Sequence, residues 1–239
     1  ILKIPVEFPF KRKFLNWLKQ RFIASLASNT DGWIVQTSNT EACLRKVLPY
    51  KGKLLLLLPF YHIPECFKKQ KDNIVERDGY ILVGDYTGTR GHEELLGAMQ
   101  ILKQKGLTPI LHLTVSKDNP FVREIVQAIG EGIRIENHGI MPFVQLAEVY
   151  GQCKATVYPS INESLGLGLI EAVEAGCDVI VSDLPFAHAI CKPSEFFAHR
   201  TSEEIADAIM RYEKGFSPKS ELTIHNCIEE LLDLITENC

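Results

Sequence analysis

Five short apolar runs, YILVGD, TPILHLTV, IRIENHG, KATVYPS and CDVIVSD, succeed one another between Tyr80 and Asp183, each bounded by turn residues. Helical patterns lie between them, and strands that alternate with helices build βαβ units, whose crossovers impose a parallel sheet. The first helix is read from about Gly91 to Lys105, with Leu95, Leu96, Met99 and Leu102 at helical spacing and Gly106 as its stop. The next begins near Asn119-Pro120, an N-cap followed by a first-turn proline. A third, Pro142 to Gly151, lines up Leu146, Val149 and Tyr150, and a fourth starts inside NESLGLGLIEA. Beyond VIVSD come a loop at Leu184-Pro185, a short EFFAH segment and two terminal helices, the first capped by Thr201-Ser202 with Glu204 three residues after Thr201. The pattern predicts an α/β, doubly wound parallel sheet of Rossmann-like type over residues 60–239.

Residues 1–58 read differently. GWIVQTS, a helix at about Thr40 to Leu48, and KLLLLLP, taken as a buried strand, suit the last βαβ unit of a preceding domain, with KKQKDN and nearby Pro64 as the connection. Two strands alone make no stable sheet. The chain opens at Ile1 without Met and without a signal-peptide layout, so a fragment of something longer is expected.

Charge and cysteines remove several function classes. A net charge of −4 gives no electrostatic reason for a nucleic-acid partner. The seven cysteines are scattered and form no C-x-x-C pair, which suits reduced thiols in a cytoplasmic protein. No apolar run approaches the roughly 20 residues of a membrane span.

Chemistry concentrates where KATVYPS runs through INESLG into the helix LGLIEAVEAG. In open α/β sheets ligands bind outside the carboxyl ends of the strands, and the free N–H groups and dipole of a helix N-terminus favour an anion. Gly166 and Gly168 permit close backbone approach, while Glu163 and Glu171, acceptors only, suit hydroxyls. A diphosphate between two sugars has that layout. The plain alternative is a tight turn with acidic residues that complement the dipole. A second loop, VGDYTGTRGHEELLGAM, carries Arg90, a planar and permanent cation suited to clamping a diphosphate or simply to lying on a surface.

Taken together, residues from about Gly79 to Lys214 resemble the donor-binding, C-terminal domain of the retaining GT-B glycosyltransferases of the glycosyl transferases group one family. PSINESLGLGLIEAVEAG followed by VIVSDLP is similar to that family's glutamate, seven residues, glutamate motif, and RIENHGIMPFVQLAEVYGQCKATVYPS is similar to its base-binding segment. The resemblance implies that Glu163 contacts the transferred sugar and that the backbone of Leu165, Gly166, Leu167 and Gly168 holds the diphosphate and sugar hydroxyls. It further implies that Glu171 binds the ribose, that Arg90 stands where the family has a diphosphate-binding Lys, and that Gly139 and Ile140 meet the base. Two positions depart from the pattern: Asp85 replaces a second diphosphate-binding Arg, where an acidic side chain would repel phosphates, and Ala189 replaces a Glu after SDLP.

The implied activity moves a hexose from a UDP- or GDP-type sugar, a substrate and not a cofactor, to a glycan or lipid-linked acceptor hydroxyl in polysaccharide synthesis. The rival reading, drawn from Asp85 and Ala189, is a non-catalytic binding module. No D-x-D sequence and no His pair at ligand spacing appears, so no metal is expected; GHEELLG lacks the second zincin histidine, and GLGLIE has Glu171 where a dinucleotide fingerprint needs its third glycine. Near the start, FPFKRKFLNWLKQRF sets Phe10, Phe14, Trp17, Leu18 and Phe22 at helical spacing among Lys11, Arg12, Lys13, Lys19 and Arg21. That composition suits peripheral contact with the inner, anionic face of a membrane, and it also suits packing on a preceding domain.

Overall fold

The computed structural model describes residues 10–47, 54–71 and 76–237. Helix α1 (Phe10–Leu26) is followed by strand β1 (Gly32–Val35), helix α2 (Ser38–Val47) and strand β2 (Leu54–Leu57). The two strands pair in parallel, Gly32 opposite Leu54, with α2 as crossover. Contrary to the expectation of a buried strand, Leu57 is exposed and Leu55 and Leu56 are only half-buried. A two-stranded sheet consists of edges, and one crossover helix covers one face of it.

The chain then forms α3 (Glu65–Lys71), β3 (Tyr80–Leu82), α4 (His92–Gln104), β4 (Leu111–Leu113), α5 (Val122–Gly130), β5 (Ile135–Asn137), α6 (Phe143–Gln152) and β6 (Ala155–Tyr158). Next come α7 (Leu167–Glu174), β7 (Asp178–Ser182), α8 (Pro185–Ile190), β8 (Cys191–Lys192), β9 (Glu195–Phe197), α9 (Ser202–Glu213), β10 (Glu221–Leu222) and α10 (Ile228–Glu237). Six strands form one parallel sheet in the order β5-β4-β3-β6-β7-β9. The chain starts in the middle at β3, works outward to β5, then returns to β6 and works outward the other way. This is the doubly wound α/β fold.

Alternation along the strands divides the interior into two layers. Tyr80 and Leu82 face α4, α5 and α9, where Leu95, Leu96, Met99 and Leu102 are buried as their spacing predicts. Ile81, Val179 and Val181 face the other layer, where Leu146, Val149 and Tyr150 of α6 meet α3 and α7.

Five local readings change. Part of KKQKDN is not a connection: Lys68 to Lys71 close α3, whose Phe67 is fully buried 6.0 Å from the Tyr150 ring; Asp72 and Asn73 lie outside the described residues. EFFAH holds a sixth parallel strand, β9, and the loop at Leu184-Pro185 opens into α8, with Pro185 at its first position. Asn119 does not cap α5; its Oδ1 accepts from the Phe121 N–H at 3.0 Å, a turn ahead of the helix. At α9 half of the capping box forms: Thr201 Oγ1 accepts from the Glu204 N–H, but the Glu204 carboxylate accepts from the Ala198 N–H.

The smaller unit is tied to the larger by several hydrogen bonds. Gln36 Nε2 donates to the Phe60 carbonyl at 2.8 Å, and Thr37 Oγ1 donates to the Ser164 carbonyl at 3.1 Å. From the far end of the chain, Asn226 brackets the backbone of Tyr61 through both atoms of its amide. Among the described residues no helix is long and apolar enough to cross a membrane.

Phe67→Ala removes a fully buried ring from the α3–α6 contact and should cost about 3 to 5 kcal/mol. Phe216→Ala, on an exposed turn, should cost less than about 0.5 kcal/mol. Urea unfolding of both variants measures the difference, and equal midpoints would show that α3 is not part of the core.

Candidate functional site

The strand order reverses between β3 and β6, so the loops that leave their carboxyl ends diverge and open a crevice between them. These loops, 83–91 and 159–166, are the two glycine-bearing stretches that stood out in the sequence. The far end of the first is joined to the start of the second. A Cβ on Gly91 would lie 2.7 Å from Pro159 side-chain atoms, and Gly91 has φ 79°, so only glycine fits there. The Ile161 N–H donates to the Thr89 carbonyl at 3.3 Å, and Arg200 donates to the same carbonyl at 2.9 Å while pairing with Glu94 at 2.8 Å.

Gly166 begins α7 in the left-handed conformation, φ 65° and ψ 46°, with no side chain capping the helix. Its first N–H groups therefore face the crevice without a side-chain acceptor, the condition under which a helix start holds an anion. Gly168, one residue into α7, has no side chain and leaves the Tyr158 ring room to lie beneath the helix, at 3.2 Å from where a Cβ would sit. Leu165 and Gly168 are half-buried, Gly166 is buried, and Leu167 is exposed.

The charges of all three candidates act on the buried phenol of Tyr158. Burial raises the phenol pKa above its ordinary value, the Glu163 charge raises it further, Arg90 opposes the rise, and Glu171 adds to it. Glu163, half-buried, accepts from Ser160 Oγ at 2.9 Å. Arg90 donates from Nη1 to the Val83 carbonyl at 3.1 Å, with its guanidinium lying over Gly84, where any side chain would collide with it. Other N–H groups of its fork are not engaged by the described residues.

Glu171 is the unusual member. It is 6% exposed, and while its backbone carbonyl accepts from the Ala175 N–H within α7, its carboxylate accepts no hydrogen bond from any described residue. Burial alone lifts its carboxyl to about 7. Buried carboxylates ordinarily carry a donor or a cation, because desolvating the charge is costly. Glu171 has neither.

Asp85 does not face the crevice as an unpaired charge. Its Oδ1 accepts from the Tyr86 N–H at 3.0 Å, the Ser116 N–H at 3.1 Å and Asn119 Nδ2 at 2.8 Å, tying the loop after β3 to the loop after β4. The expected repulsion of phosphates is thereby weakened, since three donors already engage the carboxylate. Ala189 lines a cavity between the two units together with Gln36, Thr37, Ser38, Pro59 and Thr223. Gly139 is buried with φ 71° beside Lys117, whereas Ile140 is 85% exposed.

Sequence reasoning missed His92. It is buried at the start of α4, its Nε2 donates to the Gly84 carbonyl at 3.2 Å, and burial takes its pKa down to about 4, so the ring is neutral. The signal was its place directly after Gly91 at a helix start; read only against a zincin pattern, it carried no meaning.

The family model described as "Glycosyl transferases group 1" matches residues 65–223. Among similar proteins, the serotype-specific mannosyltransferase WbdA of Escherichia coli is 27% identical over 153 residues, 59% of this chain and 18% of WbdA. The O-antigen chain mannosyltransferase RfbU of Salmonella typhimurium is 32% identical over 81 residues, 29% of this chain and 23% of RfbU. This chain therefore spans about a quarter or less of these two relatives. Among solved structures, Anabaena HepE in complex with UDP and glucose shares the fold, with a TM-score of 0.63 at 15% identity over 85% of this chain and 59% of that one.

The state of Glu171 makes stability depend on pH. Its carboxyl titrates near 4.5 when unfolded and about 7 when folded. Between these values the folded state binds more protons, so stability falls as pH rises from about 4.5 to about 7, by about 3 kcal/mol, and then levels off. Glu171→Gln should match the parent near the bottom of that window and exceed it above neutral pH. Urea unfolding at both ends of the window tests this; parallel pH curves for the two proteins would contradict it.

Proposed function

Given that the chain belongs to the glycosyl transferases group 1 family, we propose that it is the donor-binding portion of a retaining hexosyltransferase. It moves a hexose from a nucleoside diphosphate sugar to an acceptor hydroxyl in the synthesis of a polysaccharide or related glycan. The observation that carries this reading is Glu171, a buried carboxylate with no donor, one turn inside an uncapped helix start. A ribose diol supplies two donors, and the diphosphate it carries suits the helix N-terminus. The family match, the mannosyltransferase relatives and the fold shared with a UDP-bound structure point the same way.

In this reading Glu171 accepts from the ribose hydroxyls, and the backbone from Leu165 to Gly168 receives the diphosphate and sugar hydroxyls. Glu163, oriented by Ser160, contacts the transferred sugar. Arg90 and the α7 N-terminus stabilise charge that develops on the leaving diphosphate, which is catalysis by groups already in position. Gly139 and Ile140 offer backbone groups to the base. Residues 1–58 belong to the acceptor-side unit and 60–239 to the donor side; the β1–α2–β2 unit and the small share of the relatives that the chain spans support this division. The acceptor is a glycan or a lipid-linked glycan.

Membrane contact belongs to the same proposal. In α1 the side chains of Phe14, Leu15, Trp17, Leu18 and Phe22 are exposed, as are those of Lys19 and Arg21, and the helix contains no acidic residue. An apolar face edged by cations suits the interface of an anionic bilayer.

Calorimetry tests the donor site. Each hydrogen bond to a charged group is worth about 1.5 to 3 kcal/mol, so Glu171→Ala should weaken nucleoside diphosphate binding tenfold or more. Because the ribose needs the ionised form, parent affinity should also fall as pH drops below about 7. Glu163→Ala should weaken binding of the nucleotide sugar while leaving the free nucleotide nearly unaffected. A parent chain that binds neither UDP- nor GDP-sugars would favour a non-catalytic module instead. For α1, liposome flotation should recover more protein on anionic than on neutral vesicles, and equal recovery would assign the helix to packing.

A further inference from the structure

A second group of polar side chains lies on the other arm of the sheet. Strands β4 and β5 pair in parallel with His112 opposite Glu136, and the ladder is extended by the His138 N–H, which donates to the Leu113 carbonyl at 2.8 Å. Leu111 and Leu113 point into the α4/α5/α9 layer, so His112 and Glu136 fall on the opposite face, and His138, two residues beyond Glu136, falls there too. His112 is buried, His138 is half-buried and Glu136 is at the surface. β5 is the edge strand, so this face opens toward solvent at its margin.

Their ligand atoms are close together. His112 Nδ1 lies 3.0 Å from His138 Nε2 and 3.6 Å from Glu136 Oε2, and His138 Nε2 lies 4.0 Å from the same oxygen. A point equidistant from three atoms so separated stands about 2.1 Å from each, within the range of zinc–nitrogen and zinc–oxygen bonds. Two imidazoles and one carboxylate form a mixed donor set suited to zinc-class ions and not to calcium or magnesium, which take oxygen ligands. Among the described residues this is the one grouping of three such side chains with convergent ligand atoms.

We propose that His112, Glu136 and His138 bind a zinc-class divalent ion, with water completing the coordination from the solvent side. Without the ion the two rings lie nearly coplanar, 10° apart with centroids 5.3 Å from one another, and their nitrogens face each other in an N–H···N hydrogen bond. Binding turns both nitrogens away from each other and toward the ion. The bridging proton moves to the far nitrogen of its own ring, so two neutral imidazoles become ligands without loss of a proton. The ion joins the edge strand to its neighbour at the point where the chain leaves β5 for Gly139, and it braces that turn. The site stands apart from the two glutamates and does not rest on the proposed donor chemistry.

The test uses the 239-residue chain after chelation and dialysis, titrated with Co²⁺ and Zn²⁺. Co²⁺ should give visible d–d absorption without the sulfur charge-transfer band that a cysteine ligand would add, and Zn²⁺ should displace it and raise the melting temperature. Glu136→Gln and His138→Asn leave the buried His112 in place, and circular dichroism checks that both variants fold. Each should bind Co²⁺ at least about tenfold more weakly, since even outer-shell partners are worth that much. Absence of the d–d band, a sulfur charge-transfer band, or a loss smaller than tenfold in both folded variants would overturn the proposal.

Discussion

The close approach of Gly91 to Pro159 is the constraint on which the candidate site depends. The chain leaves β3 and β6 in diverging directions, and a crevice at that reversal is useful only if its walls are held at a constant spacing. A glycine with positive φ against a proline ring, one backbone hydrogen bond from Ile161 to Thr89, and the Arg200 bridge from Thr89 to Glu94 provide that spacing. None of these groups is a candidate for ligand contact. They set the distance between Arg90 on one loop and the α7 start on the other, the two places to which the proposed function assigns the diphosphate.

Across this frame the charges are unevenly satisfied, and the unevenness is informative. Asp85 accepts three hydrogen bonds, Glu163 has Ser160, and Arg90 has the Val83 carbonyl. Glu171 is more deeply buried than any of them and has no donor. A protein selected for stability alone would put a neutral side chain there, because desolvation of a carboxylate is offset only by a partner. That carboxylate sits one turn into the helix whose N-terminus has no side-chain cap, so an acceptor without a protein donor and backbone donors without a side-chain acceptor occupy one wall. Their joint complement is an anion bearing hydroxyl groups, a description that the proposed nucleotide sugar meets.

Much of this architecture was readable from residue order. The five apolar runs became parallel strands, the spacing of Leu95, Leu96, Met99 and Leu102 placed one face of α4 in the core, and the glycines of both loops marked the turns that need positive φ. Local signals failed where the answer lay in a distant partner. EFFAH is too short to announce a strand, and it becomes one because the edge of β7 is open to it. KKQKDN is polar enough to read as a linker, yet the helix it closes is pinned by Phe67 against Tyr150, more than eighty residues away.

The sequence by itself determined the fold class and the identity of the two loops, because strand and helix periodicities and glycine's access to positive φ are properties of neighbouring residues. Tertiary structure alone decided the electrostatic state of each candidate. Glu171 and Asp85 are carboxylates beside glycine loops in the sequence; folding buries the first without a donor and gives the second three, two of them from the loop after β4. His112 and His138 stand 26 positions apart, at no ligand spacing, until the register of β4 on β5 sets them 3.0 Å from each other. Burial and partnership are sums over atoms that the chain brings together from afar, so no local pattern contains them.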